Sequence, residues 1–77
     1  MRSFEDKDVQ RAILHSIAAK PTNSITNAEL RLAVANRLAT EPSPAFLRAY
    51  RRNVRRMLLD GTLAGRNPLN TVVEAAQ

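Results

Sequence analysis

Apolar residues recur at helical spacing in the first part of the chain. Val9, Ile13 and Ile17 are each four positions apart, which places them on one face of a helix. Ser3 is suited to cap the start of this helix, and Pro21 ends it because the residue before a proline avoids the helical region. The pattern predicts a first helix over about residues 4–19.

A second helix is marked by a start signal. Thr26 and Glu29 have the spacing of a capping box, in which the threonine hydroxyl and the glutamate each bond to the other residue's backbone amide. The helix is predicted over about residues 27–39, and Ile25 before it is expected to lie in a strand-like bridge. Its predicted buried stripe consists of Leu30, Ala33, Val34 and Leu38.

The third helix is bounded by proline and glycine. Ser43 followed by Pro44 is an N-cap with proline at the first helical position, and Gly61 can take the left-handed conformation that ends a helix. The helix is predicted over about residues 44–60. Its predicted core face consists of Leu47, Tyr50, Val54, Met57 and Leu58.

The pattern after Gly61 changes to short β-prone runs. Residues 62–64 and 70–74 are two such runs, and the turn-forming stretch 65–69 separates them. This arrangement predicts a β-hairpin over about residues 62–74. The chain is therefore expected to form a single α+β domain over residues 1–77, with three helices followed by a C-terminal hairpin.

Length and composition exclude several classes of protein. A chain of 77 residues buries one small core and has no room for a deep substrate pocket. The absence of cysteine excludes a disulfide framework and a zinc ribbon. The sequence has no apolar run near the length needed to span a bilayer. We therefore expect no small-molecule substrate and no membrane partner.

The positive charge is concentrated in one part of the chain. The formal net charge is +5, and residues 45–66 hold six arginines and one acid, Asp60, so the rest of the chain is neutral. Charge concentrated in this way indicates a polyanionic partner. With the aliphatic face of the third helix taken as inward, Arg56 is predicted opposite the core and Arg51 nearest to its boundary.

The order of the predicted elements resembles that of winged helix (winged helix-turn-helix) DNA-binding domains. The resemblance includes the two helices over residues 27–39 and 44–60 and the run from Met57 to Leu63, where an apolar helix end leads into Asp-Gly-x-Leu. It implies that the third helix enters the major groove of double-stranded DNA and that the hairpin turn touches the backbone. We expect sequence-specific or architectural DNA binding with a role in transcription regulation, in the cytoplasm with the nucleoid or in a eukaryotic nucleus. The connection over residues 40–44 is longer than in a simple helix-turn-helix.

The candidate contacts to DNA lie mainly on the third helix. Arg48 and Arg52 are the expected base readers, because the first half of such a helix faces the base edges. Asn53 can pair with adenine, although a structural role is an equal alternative. The full candidate set is Asn27, Arg31, Arg48, Arg51, Arg52, Asn53, Arg55, Arg56 and Arg66.

Two alternatives from other functional classes remain open at this point. The arginine-rich helix could bind structured RNA, which would favour exposed aromatic side chains for stacking. The domain could instead be a protein-interaction module, a homodimer or a part of a larger enzyme such as a nuclease, with Leu32, Leu59 and Leu69 as candidate contact residues. The chain is not expected to be an enzyme or to bind a metal or cofactor, because His15 is its one histidine and no phosphate-binding loop is present.

Overall fold

The chain forms a small α+β domain with three helices and a three-stranded antiparallel sheet. A computed structural model describes residues 4–65 and 72–75. In chain order the elements are α1 (Asp6–Ala18), β1 (Ser24–Thr26), α2 (Asn27–Arg37), α3 (Pro44–Leu59), β2 (Leu63–Gly65) and β3 (Val72–Ala75). The first helix begins later than predicted, with Glu5 at its N-cap, and Ser3 lies outside the described residues.

The sheet has the strand order β1-β3-β2. Strands β2 and β3 pair antiparallel, with Leu63 opposite Ala75 and Gly65 opposite Val73, as the hairpin prediction required. The predicted bridge at Ile25 is a short strand, β1, and Ile25 pairs with Val73 on the other side of β3. Both pairings therefore meet at Val73, which is fully buried.

The predicted start and stop signals act as expected at three helix ends. The Thr26 side chain accepts a hydrogen bond from the Glu29 amide at 3.2 Å, and Ser43 does the same for Phe46 at 3.2 Å. Gly61 has a φ of 86°, in the left-handed region that glycine adopts without strain. The Glu29 carboxylate accepts a hydrogen bond from Lys20 Nζ at 2.9 Å. The capping-box bond described here is therefore the one from the Glu29 amide to the Thr26 side chain.

The core lies between the helices and one face of the sheet. Its largest fully buried side chains include Phe46, Ile13, Ile17, Leu30 and Leu63. The buried residues of α3 are Phe46, Ala49, Tyr50, Asn53, Val54 and Met57. The helix therefore turns its core face roughly 60° away from the predicted direction.

That rotation corrects part of the predicted core. Leu47 and Leu58 pack against the core as half-buried side chains at its edge. In the predicted stripe of α2, Ala33 and Leu38 are likewise half-buried, while Ala35 is buried on that helix. The sequence predicts a different core face for α3 because helical spacing favours its large aliphatic residues as buried positions. In the structure, the small Ala49 and the polar Asn53 are buried as well.

Candidate functional site

The arginines of α3 form one exposed face of the helix. We call this set the arginine face; all five of its side chains are exposed, and its members are Arg48, Arg51, Arg52, Arg55 and Arg56. No acidic residue occurs between Pro44 and Leu59, so the helix carries no internal neutralising charge. This sequence of 16 residues makes a helix about 24 Å long.

The rotated core changes which arginines point furthest outward. Arg48 and Arg55 lie within roughly 10° of the direction opposite the buried residues, whereas Arg51 and Arg52 lie roughly 50° to either side. Arg56, predicted opposite the core, lies roughly 90° from that outward direction. The arginine face is therefore centred on Arg48 and Arg55, with Arg51 on one flank and Arg52 and Arg56 on the other.

One flank of the arginine face contacts the start of α1. The Arg52 guanidinium donates through Nη2 to Asp6 Oδ1 at 2.7 Å. The same carboxylate oxygen accepts from Asn53 Nδ2 at 3.1 Å, and Asn53 Oδ1 accepts from Gln10 Nε2 at 2.8 Å. We call these four residues the Arg52 network. The pKa of the Asp6 carboxyl is lowered most by the hydrogen bond from Arg52 and next by the hydrogen bond from Asn53.

Asn53 does not lie on the surface where the predicted adenine contact would have to form. Asn53 is only 1% exposed, and its Nδ2 also donates to the Ala49 carbonyl at 2.8 Å. Its donors and its acceptor are thus used inside the domain. Of the two roles considered from the sequence, the structure places Asn53 in the structural one.

The other flank of the arginine face borders a groove between α2 and α3. The groove encloses about 350 Å³ and is lined by Asn27, Arg31, Tyr50, Arg51, Val54, Arg55 and Leu58. Three of these residues are arginines and none is acidic. The groove thus brings Arg31, on a different helix, beside Arg51 and Arg55.

Tyr50 joins the two helices at the floor of this groove. Its hydroxyl donates to the Asn27 side chain and lies 3.2 Å from the Asn27 carbonyl. Burial raises the pKa of Tyr50, and the nearby positive charge of Arg31 opposes that shift. The hydroxyl is therefore neutral at physiological pH and acts as a fixed hydrogen-bond donor that positions Asn27.

The end of α3 adds an exposed leucine to the arginine face. Leu59 is 79% exposed and Leu32, on α2, is 57% exposed; both are candidate contact residues of the protein-interaction alternative. The Asp60 carboxylate accepts hydrogen bonds from the Thr62 hydroxyl at 2.6 Å and from the Thr62 amide at 2.9 Å. The bond from the hydroxyl, and to a smaller extent the bond from the amide, lower the pKa of the Asp60 carboxyl. Both bonds hold the carboxylate against the turn into β2.

Part of the predicted hairpin turn cannot be placed. Residues 66–69 of that turn, with Arg66 and Leu69 among them, lie outside the described residues, whereas Gly65 belongs to β2 instead of the turn. Within residues 4–65 and 72–75, no group of three or more histidine, cysteine, aspartate or glutamate side chains could hold a metal ion. None of the described helices is long and apolar enough to cross a membrane.

Comparisons with protein-family models, with curated proteins and with solved structures give no match to this chain.

Proposed function

We propose that this chain is a winged helix domain that binds double-stranded DNA through the arginine face of α3. The element order and the β1-β3-β2 sheet are compatible with that fold. The observation that carries the proposal is the set of five exposed arginines on one helix without an acidic neighbour on the same helix. The proposed biological role is transcription regulation.

The arrangement of the arginines suits a groove with two phosphate walls. A major groove about 12 Å wide admits one helix, and the outermost residues, Arg48 and Arg55, would face its floor. Arg51 and Arg31 would contact the backbone on the α2 side, and Arg56 would contact it on the other. Arginine forks onto phosphate or guanine acceptors in a way that lysine does not, which fits the exclusive use of arginine on this helix.

An RNA-stacking function receives less support from the structure. Phe46 and Tyr50 are buried, and Phe4 is half-buried with its ring edge against Phe46 at a centroid distance of 5.7 Å. These are all the aromatic residues of the chain, which contains no tryptophan. Recognition of the loops and bulges of structured RNA relies on exposed aromatic side chains that stack on the bases, so duplex DNA is the favoured partner.

The proposal is tested by the salt dependence of DNA binding. A fluorescently labelled duplex of random sequence is titrated with the protein at about 50 to 300 mM salt and followed by anisotropy. Neutralisation of about five phosphates predicts a slope of log K against log salt near −4 to −5. A structured RNA at the same salt serves as competitor and is expected to compete poorly.

Matched variants locate the binding surface. Arg51→Ala, at a residue proposed to contact the DNA backbone, is expected to weaken binding to all sequences and to reduce the salt slope by about one unit. Arg37→Ala removes the same charge from an exposed arginine at the end of α2, beside α1 residues Asp8, Arg11 and His15, and is expected to leave the slope unchanged. A wild-type slope near zero, or equal effects of the two variants, would refute the proposal.

A further inference from the structure

The Arg52 network has the organisation of a device that orients one guanidinium. Asn53 is buried at 1% exposure and is held from both sides, by the Ala49 carbonyl and by Gln10. It donates to the Asp6 carboxylate, which in turn accepts from Arg52. Each member therefore fixes the next, from the buried amide outward to the exposed arginine.

We propose that Asp6 and Asn53 hold the Arg52 guanidinium in the orientation that reads a guanine base in duplex DNA. This inference rests on the proposed DNA-binding function and assigns the base specificity of the same surface. Arg52 would be the residue that touches the base, whereas Asp6 and Asn53 are positioning residues that act through it. The predicted adenine contact of Asn53 is replaced by this indirect role.

The geometry leaves Arg52 available to a ligand. Its side chain is 57% exposed and that of Asp6 is 50% exposed, so the pair is open to solvent on the arginine face. The bond to Asp6 uses one N–H group of Arg52 Nη2. The other N–H groups of the planar guanidinium can donate to the O6 and N7 acceptors of guanine. A guanidinium held in place loses less rotational freedom when it binds a base.

Folding stability accounts for the bond between Asp6 and Asn53, but neither stability nor general DNA attraction explains the exposed bond between Asp6 and Arg52. An exposed ion pair adds little to folding stability, and the contact between α1 and α3 already has the bonds of Asn53 to Asp6 and Gln10. A carboxylate beside the arginine face also repels phosphate and therefore weakens binding to every sequence. A charge that opposes general attraction while it orients one arginine is typical of a specificity determinant.

The test separates base preference from overall affinity. Duplexes preferred by the wild-type protein are selected from a random pool, and each position is then varied singly in anisotropy titrations. The wild-type protein is expected to prefer guanine at one position by about 5- to 150-fold. Asp6→Ala is expected to lose that preference while its affinity for the random pool stays equal or rises.

Two further variants control for charge and for folding. Asp8→Ala removes an exposed acid from the same first turn of α1 and is expected to change pool affinity in the same direction while guanine preference is kept. Arg52→Lys keeps the charge without the fork and is expected to lose the preference with little change in the salt slope. Circular dichroism spectra that match the wild type establish that each variant is folded.

The possible failures are distinguishable. If the wild-type protein binds DNA with a steep salt slope but shows no guanine preference, or if Asp6→Ala keeps that preference, the orienting role of Asp6 is overturned and the proposed DNA binding stands. If the wild-type protein shows no salt-dependent binding, the DNA-binding function itself is overturned, and the inference that depends on it falls too.

Discussion

Replacement of the buried amide Asn53 by alanine should be one of the most destabilising changes on α3. Asn53 is the one polar side chain of that helix within the core among the described residues. Its long-range bonds reach Gln10 at 2.8 Å and Asp6 at 3.1 Å, both from α1. Asn53→Ala removes both of these bonds at once, together with the local bond to Ala49.

The magnitude follows from the bonds lost and the volume vacated. Each hydrogen bond contributes a net stability of about 0.5–1.5 kcal/mol, so the two bonds to α1 account for about 1–3 kcal/mol. The space left by the side chain adds a packing cost, which gives a total loss of about 2–4 kcal/mol. A domain of this length has a stability of about 4–11 kcal/mol, so the loss is a large share of the total.

The assay is urea unfolding followed by far-ultraviolet circular dichroism, with the transition midpoint converted to a free energy of unfolding. Gln10→Ala removes one of the same bonds from its half-buried end and should cost only about 0.5–1.5 kcal/mol. Asn53→Leu fills the space without the bonds and should recover only the packing part of the loss. An Asn53→Ala free energy within about 0.5 kcal/mol of the wild type would refute the view that this amide joins α1 to α3.

Two other predictions concern the ends of helices. The pKa of Asp6 is lower in the folded chain than in the unfolded one because Arg52 and then Asn53 donate hydrogen bonds to its carboxylate. The contribution of Asp6 to folding stability is therefore present above about pH 4 and is lost as the pH falls through the pKa of Asp6 in the folded chain. As the pH is lowered below about 4, the urea midpoint should fall less steeply in Asp6→Ala than in the wild type. Gly61 has a φ of 86°, and no atom would lie within 4 Å of a Cβ at this position. Gly61→Ala should therefore cost about 1–2 kcal/mol from backbone strain alone, and Gly61→Asn should cost less in the same urea unfolding measurement. Equal costs for alanine and asparagine would contradict that reasoning.

The features that depend on neighbouring residues could be predicted from the sequence. The hydroxyl caps at Thr26 and Ser43 and the left-handed Gly61 each require a few adjacent residues of the right type. The hairpin strands and the exposure of the arginines follow from similarly local patterns. These predictions are confirmed because few competing contacts can override them.

The features that depend on distant residues could not be predicted in the same way. The orientation of α3 was misjudged because Asn53 enters the core, and its partners Gln10 and Asp6 lie 43 and 47 residues earlier. Helical spacing alone favours a large leucine over an asparagine as a core residue. The Arg52 network was missed for the same reason, since an asparagine within a helix carries no local signal of a partner on α1.

The central place of β3 in the sheet has a consequence for the order of folding. Residues 72–75 pair with β2 on one side and with β1 on the other, where Val73 meets Ile25 from 48 positions away in the sequence. A nascent chain that has emerged only as far as Gly65 holds all three helices but neither strand pair. Because local contacts form faster than distant ones, the helices should assemble first, and the insertion of one late strand between two earlier ones then completes the domain.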